Sequence, residues 1–272
     1  MSTPTLTRRS ELEKYFNYRL LSEKELATYA EKGYLVLPQL LTSEGVDRLR
    51  EECMAAWNDK KKDVSPNGTW LQSALLVNIH HESPLARAYY FHGPLVDIAS
   101  QLIGPNIKGA TSQLTFKLRG NTKAFGWHQD NGYGQLDPYN SLTALTSLDK
   151  TDQENGCLWL IPGSHKTGQI DVSARLTPEA KAAGTDLTVE VADETGAIPM
   201  HSNPGDALIF HCFTLHKSEG NMSKDRDRRV LFLRYADADA VEVYNGRKPR
   251  LGRLVKGETR FDEVRAFESH LD

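Results

Sequence analysis

The chain has 272 residues, 39% of them hydrophobic and 25% charged, and its 33 basic and 36 acidic side chains give a formal charge of −3. That near balance excludes a nucleic-acid or polyanion binder working through bulk positive charge and leaves small, discrete ligands as the expected partners. The three cysteines, Cys53, Cys157 and Cys212, lie far apart with no C-x-x-C pair, which argues against a disulfide framework or zinc ribbon and for a reducing, cytoplasmic setting.

In chain order, Ser22-Glu23-Lys24-Glu25 predicts a capping box that opens a short helix, and Gly33 closes it. Tyr34 to Leu37 reads as a short strand. Thr42 or Ser43 starts a second helix whose apolar positions Val46, Leu49, Cys53, Met54 and Trp57 recur at helical spacing before a solvated Lys60-Lys61-Lys62 end. Ser65-Pro66-Asn67-Gly68 is turn chemistry, and Trp70 to Ile79 is expected to be extended. Ser83-Pro84 offers a cap and a first-turn proline for a third helix, broken at Gly93-Pro94 and resumed to about Leu102.

From Ile107 the pattern changes to short runs rich in β-branched, aromatic and aliphatic residues, at 107–118, 127–131, 142–148, 157–161, 187–191, 207–215 and 229–235. Such a series predicts a sandwich or barrel in a single domain, mainly β with flanking helices: a helical layer over about 1–105, a β core over about 106–236 and a tail over 237–272. No apolar run approaches the ~18 residues of a membrane span, and the polar start does not read as an export signal, so no membrane contact is expected. The last four residues, Ser269-His270-Leu271-Asp272, do not match the S-K-L peroxisomal address.

The chemistry centres on Gly126-Trp127-His128-Gln129-Asp130-Asn131-Gly132-Tyr133. On a strand, residues two apart face the same side, so His128 and Asp130 can meet one metal ion. A pair this short matches by chance, and a third ligand must come from later in the chain. Asn203-Pro204-Gly205-Asp206 turns into an apolar run holding His211 and ending at His216. His211 sits inside the run, where a hydrogen-bonded core histidine is the ordinary reading; His216 stands at its polar end and is favoured as the ligand. Two histidines and one carboxylate with open positions suit non-haem Fe(II), whereas a closed zinc site wants four ligands, usually with cysteine. The remaining histidines, His80, His81, His92, His165, His201 and His270, read as structural. The segment Asp225-Arg226-Asp227-Arg228-Arg229-Val230 begins basic and becomes a strand, and alternation sends only one of Arg228 and Arg229 inward, where it could clamp a carboxylate.

These pieces in order resemble the phytanoyl-CoA dioxygenase family of Fe(II)/2-oxoglutarate oxygenases, which includes ectoine hydroxylases: Trp127-His128-Gln129-Asp130 with Tyr133 and Pro138, Asn155-Gly156-Cys157-Leu158 into Ile161-Pro162-Gly163-Ser164-His165-Lys166, Pro204-Gly205-Asp206 through Phe210 to His216, Ser218 and Asn221, and Arg228 to Tyr235. The resemblance covers about residues 34–236. It implies a double-stranded β-helix, or jelly roll, with iron held by His128, Asp130 and His216. It also implies 2-oxoglutarate held by Arg228 and Ser218, with Arg229 as runner-up because the chain has one residue more than the family pattern between His216 and that arginine, and a co-substrate contact from Gln113. Where the family often carries a tryptophan, this chain has Leu145 or a neighbour. In related halogenases a small residue replaces the carboxylate, so Asp130 points to hydroxylation or another oxidation rather than halogenation.

Trp127, Asn131 and Tyr133 are the expected substrate contacts; Trp70 and Gln72 read as packing. The polar stretch 166–200 is a candidate lid. Two rivals share the pattern, another jelly-roll metal enzyme such as a cupin-type isomerase or 2-oxoglutarate-independent dioxygenase, and a non-catalytic small-molecule binder. Neither the substrate nor the oligomeric state is legible.

Overall fold

Local sequence sets the element boundaries. In the computed structural model, which describes residues 8–62, 74–130, 134–172 and 188–271, a single turn α1 (Arg9–Leu12) precedes α2 (Glu23–Lys32). Helix α2 carries the full capping box between Ser22 and Glu25, and Gly33 ends it at a left-handed φ of 76°. Thr42 caps α3 (Ser43–Lys60), which buries Val46, Leu49, Cys53 and Trp57 along one stripe. Ser83 caps α5 (Pro84–His92), and a second proline opens α6 (Pro94–Ile103). The expected extended run to Ile79 is a strand only at β2 (Leu75–Val77); Ile79–Glu82 forms a helical turn, α4, because Asn78 takes a left-handed φ of 55°. The Ser65–Gly68 turn, Trp70 and Gln72 lie outside the described residues.

The main sheet has seven strands: β1 (Tyr34–Leu37), β9 (Ala207–His211), β6 (Ser141–Ser147), β11 (Arg228–Asp237), β3 (Ile107–Lys117) and β14 (Arg253–Lys256) in that order, with β2 also on β3. Facing it is a sheet of β4 (Phe125–His128), β10 (His216–Ser218), β7 (Leu158–Leu160) and β8 (Ile198–Met200). A small third sheet joins β5 (Leu136–Asp137), β12 (Val241–Glu242) and β13 (Lys248–Pro249). The two larger sheets form the jelly roll, with every pairing antiparallel.

Alternation then divides the side chains. Leu114 and Phe116 of β3, Leu142 and Ala144 of β6, Ile209 of β9, and Leu231 and Leu233 of β11 face the helices and join Leu49, Trp57, Tyr89 and Ile98 in the principal core. The opposite face turns Leu208 and Phe210 toward Leu160 and Met200 in a smaller core between the sheets. Both faces of the main sheet are therefore covered, which is why its strands read as near-continuous apolar runs.

Four boundaries differ from the sequence reading. The run 207–215 is not one strand: β9 ends at His211, the chain turns through Thr214, whose N–H reaches the His211 carbonyl at 2.9 Å, and His216 opens β10 in the other sheet. Hydrophobicity is uniform across that crossing, so it leaves no trace in the pattern. No strand forms over 188–191, where Val189 N–H makes one bond to the Trp127 carbonyl at 2.7 Å. The segment beyond 236 is not a bare tail, since it supplies β12, β13, β14 and a short helix α7 (Asp262–Ala266). Strand β1 likewise places part of the N-terminal layer in the main sheet. Of the candidate lid, 173–187 lies outside the described residues.

Candidate metal centre

The two sheets bring the first and third predicted ligands together directly. His216 pairs with His128 across β10 and β4, and their rings lie 4.0 Å apart between centroids. Asp130 is not on the strand, which ends at His128, so the shared-face argument does not place it. Its backbone N–H is bonded instead to the Cys212 carbonyl at 3.2 Å, which turns the side chain back into the site. Ligand atoms of His128, Asp130 and His216 all lie within 4.8 Å of one another, and all three residues are buried.

Hydrogen bonds fix which atoms converge. Nδ1 of His128 donates to the Gly126 carbonyl at 2.8 Å, and Nδ1 of His216 donates to the Thr214 carbonyl at 2.9 Å. Nδ1 is therefore the donor on each ring, and Nε2 is the atom aimed into the site. Those Nε2 atoms face Asp130 Oδ1 at 4.0 and 3.5 Å. Thr143 on β6 donates to the other oxygen, Oδ2, at 2.5 Å. Burial, and next the neighbouring His216, push the His128 imidazole down to about 3. Burial alone would raise the Asp130 carboxyl, but the Arg234 guanidinium, at 3.0 Å from Oδ1, and His216 hold it far below the usual carboxylate range. Two imidazole nitrogens and a carboxylate oxygen converge in a dry site, with Arg234 on the carboxylate side and a position between the three ligand atoms that a cation would occupy. The donor set fits one metal ion of the kind bound by two histidines and a carboxylate.

Beside the triad lies a second, cationic end. Ser218 shares the inner face of β10 with His216, and Lys117 Nζ donates to its Oγ at 2.9 Å. Arg228 pairs with Lys117 across β11 and β3, is 4% exposed, and donates from Nη1 to the Gly156 carbonyl at 2.5 Å. Its Nε is buried without a hydrogen-bond partner. Burial lowers Arg228 to about 10, and burial together with Arg228 holds Lys117 well below an ordinary lysine. An orphaned guanidinium N–H on a buried arginine fits a carboxylate ligand. Arg229 faces the helices and is held by Asp149 at 2.6 and 2.7 Å.

The other expected residues divide. Gln113 lies on β3 in step with Lys117 and Thr115, on the face toward the second sheet. The alternation that turns His128 inward turns Trp127 outward, where Lys217 Nζ stands 5.1 Å over its ring, so Trp127 does not join the cluster. Asn131 and Tyr133 lie outside the described residues. His211 points away from the triad, with its Nδ1 accepting the Phe213 N–H at 3.1 Å. Pro162–His165 is a turn, with Gly163 at φ 78° and its N–H on the Lys32 carbonyl.

Sequence reasoning missed four side chains. Thr143, Lys117 and Arg234 fall at inward positions of β6, β3 and β11, and extending the Arg228 alternation six residues along β11 identifies Arg234. Gln129, 3% exposed, has no such signal: its Nε2 donates to the Gly168 and Phe213 carbonyls at 2.9 and 2.8 Å, and its Oε1 accepts the Ile170 N–H at 2.8 Å.

Residues 29–230 match the family model described as phytanoyl-CoA dioxygenase (PhyH). The methylphosphonate hydroxylase of Gimesia maris is 28% identical over 241 residues, 85% of this chain and 87% of the relative. Among solved structures, the non-heme alpha ketoglutarate dependent carbocyclase SnoK from nogalamycin biosynthesis superposes with a TM-score of 0.67 at 23% identity, covering 88% of this chain and 94% of that one. EctD from S. alaskensis with 2-oxoglutarate and 5-hydroxyectoine gives 0.61 at 24% identity, over 80% and 77%.

Proposed function

Because the chain belongs to the phytanoyl-CoA dioxygenase family, we propose that it is a non-haem Fe(II)/2-oxoglutarate-dependent dioxygenase that hydroxylates an unactivated C–H bond of a small molecule, releasing succinate and CO₂. The observation that carries this reading is the convergence of His128, Asp130 and His216 beside a buried, partly unpartnered arginine. These three residues would hold the iron, the histidines through their Nε2 atoms and Asp130 through its carboxylate. Arg228 and Ser218, with Lys117 behind them, hold the distal carboxylate of 2-oxoglutarate, and Gln113 lines the same face. When bound, iron, 2-oxoglutarate and O₂ together supply an oxidant strong enough to take a hydrogen from carbon.

The chain's own part is placement and protection. The carbonyls of Gly126 and Thr214 hold the Nδ1 protons and so aim both Nε2 atoms at the position a metal would take. Thr143 fixes one carboxylate oxygen and leaves the other for the ion. The apolar layer of Leu160, Leu208 and Phe210 excludes water from one side. The presence of Asp130 as a would-be ligand favours hydroxylation or another oxidation over halogenation. Asn131 and Tyr133 border the iron motif as substrate contacts. The relative named methylphosphonate hydroxylase puts small phosphonates first in the substrate panel. The buried free thiols of Cys53, Cys157 and Cys212 suit a reducing cytoplasm.

His128→Ala, Asp130→Ala and His216→Ala should each abolish succinate formation from 2-oxoglutarate. Near-normal succinate in any one of them overturns the ligand assignment. Anaerobic addition of 2-oxoglutarate to the Fe(II) protein should produce a visible charge-transfer band, whose absence would favour a 2-oxoglutarate-independent enzyme or a plain binding protein.

A further inference from the structure

A second cluster of two histidines and a carboxylate lies on the other side of the main sheet. His80 and His81 stand on the turn α4, and Glu268 lies just beyond α7; their ligand atoms fall within 4.8 Å of one another. We propose that His80, His81 and Glu268 form a second metal site, separate from the iron centre, that takes a divalent ion of the zinc class and fastens the C-terminal segment to β3.

The contacts already have the spacing of a coordination shell. His80 Nε2 lies 3.1 Å from Glu268 Oε2, and His81 Nε2 lies 2.7 Å from Oε1. Ligands on one tetrahedral ion at bonds of 2.0–2.1 Å sit about 3.3 Å apart, so the ion enters with small side-chain shifts. His80 is oriented as metal-bound histidines are: its other nitrogen, Nδ1, lies 2.5 Å from Ser112 Oγ, and the ring is clasped by Tyr90 and Phe91 at 5.6 and 5.4 Å. Ser112 faces the helices, opposite to Lys117 and Gln113, which puts the sheet between this cluster and the triad.

The proton balance also closes. Without an ion, both Nε2–H groups donate to the Glu268 carboxylate. When an ion arrives, each ring proton moves to Nδ1; at His80 the Ser112 hydroxyl accepts it, and at the half-exposed His81 water does. The carboxylate loses two hydrogen bonds and gains the metal. Glu268 is held ready by the chain: its backbone sits at φ 51° and its carbonyl accepts from Arg253 Nη1 at 2.9 Å, which leaves the carboxylate to the histidines. Arg87 is the other cation acting on His80 and weakens the site modestly. Three protein ligands at the surface leave a fourth position for water, which zinc accepts and which the Irving–Williams order makes tighter for zinc than for ferrous iron.

The test is zinc stoichiometry on the untagged chain, stripped of metal and dialysed against buffered micromolar free zinc. The native chain should retain about two equivalents, one at each cluster. A His128→Ala/His216→Ala chain should retain about one, and adding His81→Ala or Glu268→Gln should remove it, with at least a tenfold loss of affinity. Zinc should raise the melting temperature of the His128→Ala/His216→Ala chain and leave the triple variant unmoved. His81 is half-exposed, so its removal spares the fold, and circular dichroism checks that it has. Retention of no zinc by the triad-free chain, or of equal zinc by it and the triple variant, overturns the proposal.

Discussion

Arg228 and Arg229 show how much one step along a strand decides. They are adjacent and chemically identical, yet Arg228 is buried against Lys117 and the Gly156 carbonyl while Arg229 closes a bidentate pair with Asp149 on the helix side. Substituting them should therefore move different quantities. Arg228→Met removes a charge-assisted fork worth about 1.5–3 kcal/mol and should raise the KM for 2-oxoglutarate roughly 10- to 150-fold. Arg229→Met should cost about 1 kcal/mol of stability and leave that KM within about twofold. Steady-state succinate assays with a melt on each variant separate the two, and the reverse pattern would move the clamp to Arg229.

At the scale of elements, Gln129 joins three segments that would otherwise pass one another. Its amide ties the exit of β4 to Gly168 and Ile170 and to the turn at Phe213 that carries the chain from β9 to β10. Asp130 follows immediately, beyond the last ladder bond, so its position depends on this brace. Gln129→Ala leaves two carbonyls and an N–H without their partner, which costs about 2–4 kcal/mol. It should also weaken Fe(II) binding about 10- to 100-fold while His128 and His216 stay in register. Isothermal titration of the metal-free variant measures both, and unchanged iron affinity would free Asp130 from the brace. The same region marks where the sequence stops being legible. Caps at Ser22, Thr42 and Ser83, the helix stripes and most strands follow from local rules. His216 could be singled out by its polar neighbours, and Arg228 by alternation. The crossing at 212–215 and the grip of Gln129 could not, because Gln129 holds carbonyls 39 and 84 positions away and the crossing is tied to Gly33, Ser141 and Ser164, and no periodicity records partners at such distances. The pairing of His80 and His81 with Glu268 was hidden for the same reason, since it spans 188 residues.

For the whole molecule, covering the main sheet on both faces has an electrostatic consequence. Histidines on either side of it are shielded from water, His128 and His80 fully and His211 in part: burial pushes His128 down to about 3 between the sheets, and pushes His80 and His211 down to about 4 on the helix side despite the help Glu268 gives to a charged His80. In the unfolded chain each returns to about 6.5. As pH falls below that value the unfolded state takes up protons that the folded state refuses, so stability declines and levels off only near the folded values. Asp130 acts in the same direction at lower pH, because its depressed carboxyl contributes stability that is lost as acid protonates it. At pH 5 keeping the buried His128 and His80 neutral costs about 2 kcal/mol each, a large share of the net stability of an ordinary domain, and the partly exposed His211 adds less. Urea midpoints of the metal-free protein should be flat from about pH 8 to 7 and fall steeply from 6.5 toward 5. His211→Gln, which retains a side chain able to accept from Phe213 N–H but does not titrate, should remove less than about a third of that slope. A midpoint that holds level down to pH 5 would mean that these histidines charge in place, and that the interior on both sides of the sheet is wetter than its packing implies.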